Sequence, residues 1–204
     1  MNAQNQMAKS QDALKTSFAR LASGMRINNA SDDAAGLGIA KSMNAQVRSY
    51  AVAERNTNDG ISMLQTADGG AEQVHGLLTR MRELAVQASN GSMSSNDLAN
   101  IDTEYQQNLQ EIDRVSSSVQ FNGINLLNGA SSSKSFQVGI GTASTDRIDV
   151  NFGGVDATNL AVNGSSVTNF TNAQASITKL DTAIQNLSKT RASFGASMNR
   201  FSAA

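Results

Sequence analysis

The chain has 204 residues, of which 39% are hydrophobic, 16% are charged and 4% are aromatic, and its formal net charge is -1. A balance so close to neutral argues against a nucleic-acid binder, which needs a basic face, and against a protein that binds anionic membranes. Cysteine is absent, which excludes a disulfide framework, a thiolate metal site and a cysteine nucleophile, and no apolar run reaches the roughly 20 residues of a membrane span.

The first predicted element is an N-terminal helix whose apolar residues recur at intervals of three, four or seven: Met7, Leu14, Phe18, Leu21 and Met25. A second, much longer helix is predicted from the polar capping residues Ser31, Asp32 and Asp33 to the stop signal at Asn90-Gly91. If continuous, it would span about 85 Å. The Gly69-Gly70 pair could divide it, because glycine weakens helix interiors. Its apolar seam comprises Leu64, Ala67, Ala71, Val74, Leu78, Met81, Ala85 and Ala88.

Two further helices are predicted downstream. One follows the capping signal Ser94 to Asp97, and its apolar seam has Asn108 as a polar exception. The other begins near Asn172, and only Arg191 interrupts its seam. Four apolar faces predict a mainly α fold, a rod-shaped bundle of long antiparallel helices. The two seams comprise Leu98, Ile101, Tyr105, Ile112 and Val115, and then Ile177, Leu180, Ile184, Leu187, Phe194, Met198 and Phe201.

Between the bundle helices the period changes from that of a helix to that of a strand. Apolar and polar residues alternate from Phe136 to Ile140 and again from Ile148 to Phe152, so we predict a small β-hairpin. The stretch from Gly153 to Thr171 is rich in Gly, Asn, Ser and Thr, which predicts a surface loop.

No arrangement of residues predicts catalysis or cofactor binding. His75 is the only histidine and lacks the partners of a metal site. Asp32 and Asp33 stand at a helix start, where capping explains them better than a catalytic pair does. Gly139 and Gly141 do not precede a helix start, so a phosphate loop is not indicated. We therefore predict no enzyme activity, no metal and no cofactor.

A second stripe on the long helix lies beside the predicted seam. Leu77, Arg80, Leu84 and Gln87 recur at intervals of three and four. Spacing alone favours a simple interpretation, in which Leu84 widens the core and Arg80 is a solvated edge. An arginine beside an apolar anchor is also typical of an interface hot spot, so both interpretations stay open.

Four segments together resemble bacterial flagellin. The first two are LASGMRINNASDDAAGLG, residues 21–38, and RNTNDGISMLQT, residues 55–66. The longest is LLTRMRELAVQASNGSMSSNDLANIDTEYQQNLQEIDRVSSSVQFNG, residues 77–123, and the last is RASFGASMNRF, residues 191–201. The resemblance implies a structural subunit of the bacterial flagellar filament, secreted through the flagellar export apparatus and located outside the cell. Composition alone, with no signal peptide, would instead suggest a cytoplasmic protein.

The resemblance also implies a recognition site. In flagellins sensed by a host Toll-like receptor, the matching stretch carries the receptor contact, and the same face is buried between subunits in the filament. The matching residues are Arg80, Glu83, Leu84 and Gln87, with Glu104 facing them from the next helix. Thr79 departs from the glutamine common at that position.

The resemblance further suggests that the chain is a core fragment of the rod domain found in this family. We predict an N-terminal helix and connector over residues 1–31, the long helix, second helix and hairpin region over 32–171, and a C-terminal helix of the same rod domain over 172–204. Family members carry additional terminal helices that polymerise, so we expect this chain to be monomeric. The alternatives are a hook–filament junction protein of the flagellum and a coiled-coil interaction module.

Overall fold

The computed structural model describes residues 2–130 and 133–204 and confirms the predicted mainly α fold. The helices are α1 (Asn2–Ser23), α2 (Ala34–Ala88), α3 (Ser95–Ser118) and α4 (Phe170–Ser202). Two small antiparallel sheets lie between α3 and α4: β1 (Gln120–Phe121) with β2 (Ile124–Asn125), and β3 (Lys134–Gln137) with β4 (Arg147–Val150). Among the described residues, no helix combines the length and the apolar character that crossing a membrane requires.

The chain divides into two compact units, Met1–Val52 and Ala53–Ala204. The division falls inside α2. The first unit holds α1 and the beginning of α2. None of the described residues of α1 is buried, including its apolar stripe. Its members Met7, Leu14, Phe18, Leu21 and Met25 are all exposed.

In the second unit, α2 supplies the longest part of the core. The helix is continuous over 55 residues, about 82 Å, and does not divide at Gly69-Gly70. Gly70 is needed there, because a Cβ atom at this position would lie 2.5 Å from Cγ2 of Val119. Every residue of the predicted seam from Leu64 to Ala88 is buried, which confirms the seam.

The ends of α3 and α4 follow local capping chemistry. The Ser94 hydroxyl accepts the backbone N–H of Asp97, and the Asp97 carboxylate accepts the backbone N–H of Ser94, which confirms the predicted capping box. Asn169 caps α4 by accepting the N–H of Asn172. From these starts the two helices bury residues such as Tyr105, Ile112, Leu180 and Phe194 against the α2 seam.

The predicted hairpin is also confirmed: Phe136 of β3 pairs with Ile148 of β4. The Phe136 ring meets the Phe201 ring of α4 edge-on, with centroids 5.3 Å apart. The segment after the hairpin is a loop, as predicted, but it does not lie wholly on the surface. Polar composition concealed five apolar side chains that this segment buries in the core: Val155, Ala157, Leu160, Val162 and Val167.

Candidate interaction site

The second stripe of α2 lies at the border of the core rather than wholly outside it. Leu84 is 1% exposed and belongs to the core, while Leu77 is half-buried. Arg80 and Gln87 are exposed. The simpler interpretation is therefore correct for Leu84, which widens the core and does not stand out as an apolar anchor. Spacing favoured this interpretation without deciding it, because the burial of a helix residue depends on the elements that pack against the helix.

Arg80 is the centre of an ordered surface group. Its Nε donates to Oε1 of Glu104 on α3 at 2.8 Å, and its Nη1 donates to Oε2 of Glu83, one turn further along α2, at 3.1 Å. These contacts raise the pKa of the Arg80 guanidinium above its ordinary value, and the hydrogen bond to Glu104 is the larger cause. Half of the Arg80 side chain remains exposed. The guanidinium is therefore held in place and is still accessible to a partner.

We call Arg80, Glu83, Gln87 and Glu104 the Arg80 face. Three of them lie on α2, and the ion pair to Glu104 joins α2 to α3. Two carboxylates flank one guanidinium, and each guanidinium has five N–H donors, so donors remain for a partner. The face therefore presents both hydrogen-bond donors and acceptors to solvent. Since the pairs are exposed, each adds little to folding stability.

The two aspartates considered from the sequence, Asp32 and Asp33, form hydrogen bonds with nearby backbone N–H groups. Asp32 accepts the backbone N–H groups of Asn28 and Asn29, and these bonds and Arg20 lower the pKa of its carboxyl group. Asp33 Oδ1 accepts the N–H of Gly36 at 2.8 Å. Asp33 therefore caps the first turn of α2, as predicted, whereas Asp32 holds the connector before the helix instead of capping it. No cluster of potential metal ligands occurs among the residues that the structure describes.

The Gly139–Gly141 stretch belongs to the loop that joins β3 to β4. The N–H groups of Val138 and Gly139 both donate to the backbone oxygen of Asp146. The loop is therefore closed by its own backbone, and it forms no phosphate-binding cradle at a helix start.

Sequence reasoning missed the ion pairs between α2 and α4. Arg82 Nε donates to Oδ1 of Asp181 at 2.6 Å. Arg191, noted only as an interruption of the α4 seam, donates from Nε to Oδ1 of Asp68 at 2.8 Å and also pairs with Glu72. The available signal was that an arginine within an apolar seam needs an acidic partner on the facing helix.

Comparisons with known proteins agree with this architecture. Residues 1–132 match the family model for the bacterial flagellin N-terminal helical region. A flagellin of Halalkalibacterium halodurans is 39% identical over 200 residues, which are 98% of this chain and 74% of that protein. The phase 1 flagellin of Salmonella naestved is 44% identical over 164 residues, 80% of this chain but only 32% of that protein. The crystal structure of Bacillus cereus flagellin superposes with a TM-score of 0.65 at 34% identity, covering 73% of this chain and 85% of that one.

Proposed function

Because the chain belongs to the bacterial flagellin family, whose members are non-enzymatic structural subunits of the extracellular flagellar filament, we propose that its Arg80 face serves two partners. In the filament, neighbouring subunits cover this face. In the free subunit, a host Toll-like receptor binds it. The two partners exclude each other, so the receptor senses the monomer and not the assembled filament.

The filament role rests on the long helices of the second unit. α2 presents one side to the core and leaves the rest of its surface to solvent, a continuous surface along which neighbouring subunits can pack. Sliding of packed helices by small distances would allow alternative packings. Subunits reach the filament through the flagellar export apparatus, and the partners in the filament are other flagellin subunits.

The receptor role is supported chiefly by the ordered exposure of Arg80. Its guanidinium is held by Glu83 and Glu104 before any partner arrives, so binding orders few additional side-chain torsions. Arginine is also enriched among the residues that dominate binding energies. Leu84 is buried beneath the Arg80 face. We therefore propose that it supports the face by packing and does not contact the receptor directly.

A titration of purified monomer with the receptor ectodomain tests this function. We expect Arg80→Ala to weaken binding at least tenfold, because removing a hot-spot arginine costs about 2 kcal/mol or more. Glu104→Gln keeps the shape of the side chain but removes its charge, and we expect a smaller loss. Leu84→Ala would create a core cavity, so a loss of binding in that variant cannot distinguish contact from packing.

The matched control is Arg147→Ala. Arg147 is exposed on β4, outside the helices of the Arg80 face, and its loss changes the net charge by the same amount. Unchanged affinity in Arg80→Ala, with helicity retained, would remove the face from the receptor contact. An equal loss in both variants would indicate a general charge effect instead.

Pelleting of filaments built from subunits that carry the terminal polymerising helices, in the presence of excess receptor ectodomain, tests the exclusion between the two partners. We expect filaments to retain no receptor along their length, while monomer prepared from the same filaments binds it. Receptor bound uniformly along intact filaments would contradict burial of the Arg80 face between subunits.

A further inference from the structure

Four Asn-Gly dipeptides lie in turns of this chain: Asn90-Gly91, Asn122-Gly123, Asn128-Gly129 and Asn163-Gly164. Glycine after asparagine leaves the following backbone nitrogen uncrowded, because it carries no Cβ atom. That nitrogen can attack the side-chain carbonyl carbon of the asparagine. The four dipeptides share this chemistry, but the structure treats their side chains in two different ways.

Two of the asparagine side chains are held. Oδ1 of Asn90 accepts the backbone N–H of Ser92 at 3.2 Å, and Oδ1 of Asn128 accepts the N–H of Ala130 at 3.0 Å. Each bond directs the carboxamide toward the residue two positions ahead, as in an Asx turn. Asn128 is further restrained by a β-bridge to Gly154. Attack by the next nitrogen would require these side chains to leave their positions.

The other two side chains are free within the part of the chain that the structure describes. Neither Asn122 nor Asn163 has a side-chain hydrogen bond to a described residue, and both are exposed. Around Gly123 and Gly164, no heavy atom outside the immediate chain neighbours lies within 4 Å of an ideal Cβ position. The glycine beside each free carboxamide therefore stands in open space; Gly91 does too, so what distinguishes the two pairs is the hydrogen bond of the asparagine side chain.

We propose that Asn122 and Asn163 are sites of spontaneous deamidation in the folded protein, and that Asn90 and Asn128 are protected by their turns. The Gly123 nitrogen forms a bond to Cγ of Asn122, and the bond from Cγ to Nδ2 breaks. The Gly123 proton passes to solvent, and Nδ2 leaves as ammonia with a proton from water. Water then opens the cyclic imide at either carbonyl, giving aspartate or isoaspartate. The same steps apply to Asn163 and Gly164.

The consequences differ between the two sites. Asn122 and Gly123 form a two-residue hairpin turn, with φ of 48° and 76°, between the paired residues Phe121 and Ile124. Isoaspartate routes the main chain through Cβ, so the turn no longer has the two left-handed residues that such a hairpin needs. Asn163 and Gly164 are the two central residues of a turn closed by the bond from the N–H of Ser165 to the oxygen of Val162. At either site, each conversion adds one negative charge.

Peptide mass spectrometry of the whole chain, incubated folded at mildly alkaline pH, tests the proposal. The readout is the replacement of NH₂ by OH in each of the four Asn-Gly peptides over time. We expect Asn122 and Asn163 to react about fivefold faster than Asn90 and Asn128, the factor that corresponds to the net contribution of one hydrogen bond. In urea, where the turns are lost, the four rates should become similar.

Two variants provide matched controls. Asn122→Gln and Asn163→Gln each keep an amide but require a larger, slower ring closure, so each should abolish only its own acidic product on isoelectric focusing. A folded chain in which either Asn122 or Asn163 reacts no faster than the two held asparagines would overturn the proposal. So would a spread of rates in urea as wide as that in the folded chain, because the turns would then not be the cause.

Discussion

Helix α1 and the part of α2 from Ala53 onward carry apolar residues at similar spacing but differ in burial. Leu21 of α1 is 79% exposed, whereas Leu78 of α2 is fully buried. In the second unit, α3, α4 and the chain between them cover the α2 seam; the described residues of α1 bury nothing. Heptad spacing therefore predicts an apolar face, and the presence of a partner decides whether that face becomes a core.

The largest expected difference between the two helices comes from removing a leucine side chain. Leu78→Ala should lower the free energy of unfolding by about 2–5 kcal/mol, because it leaves a cavity in a packed core. Leu14→Ala, in the exposed stripe of α1, should change it by less than about 0.5 kcal/mol. Urea unfolding followed by circular dichroism measures both. Equal losses would show that α1 is part of the same core.

Two adjacent glycines should have opposite effects within α2. Gly70→Ala places a methyl group against the Val119 and Leu127 side chains and should cost about 1–3 kcal/mol. Gly69→Ala meets no atom within 4 Å and should stabilise the helix by up to about 1 kcal/mol. Thermal unfolding of the two variants would compare them directly. A stabilising Gly70→Ala would show that α2 and the β1–β2 region pack less closely than described.

A smaller difference in stability is expected between substitutions of two aspartates, Asp97 in the second unit and Asp32 in the first. Ser94 and its backbone N–H lower the pKa of the Asp97 carboxyl group. The stabilisation is therefore present above the pKa of the unfolded chain and is lost as the pH falls through the folded value. Asp97→Asn should lower the urea midpoint at pH 7 and make little difference in acid.

Asp32→Asn is the matched change in the first unit. Hydrogen bonds also lower the pKa of the Asp32 carboxyl group, but the connector it holds adds no packed core. The urea midpoint of the second unit should therefore not move. A comparable loss of stability in both variants would mean that the two units unfold together.

The smallest expected effect concerns the charges between α2 and α4. Arg191→Ala should cost at most about 1 kcal/mol, because the pairs with Asp68 and Glu72 are partly exposed and screened by solvent. The loss should shrink further in high salt. A cost above that of Gly70→Ala, or one insensitive to salt, would indicate that Arg191 stabilises the helices mainly through packing of its aliphatic stem.

The sequence was sufficient wherever local chemistry determines the structure. The α3 capping box, the β3–β4 hairpin and the α2 seam were all predictable from neighbouring residues. The sequence was insufficient where packing between distant segments determines which residues are buried. Polar composition concealed the buried positions from Val155 to Val167, and spacing favoured the burial of Leu84 without deciding it. Of the site, the residue types were predictable, whereas the bridging of Arg80 by Glu83 and Glu104 required the register between α2 and α3.

The distribution of tyrosines gives the molecule built-in optical reporters. The chain has two tyrosines and no tryptophan, so tyrosine emission is not masked. Tyr50 lies in the first unit and is 57% exposed, whereas Tyr105 is fully buried in the second, its hydroxyl 2.7 Å from that of Ser165. A soluble quencher should therefore reach Tyr50 first. If either tyrosine is replaced by phenylalanine, the remaining fluorescence reports on one unit alone. Ordering of each unit can thus be followed separately, without attaching a label.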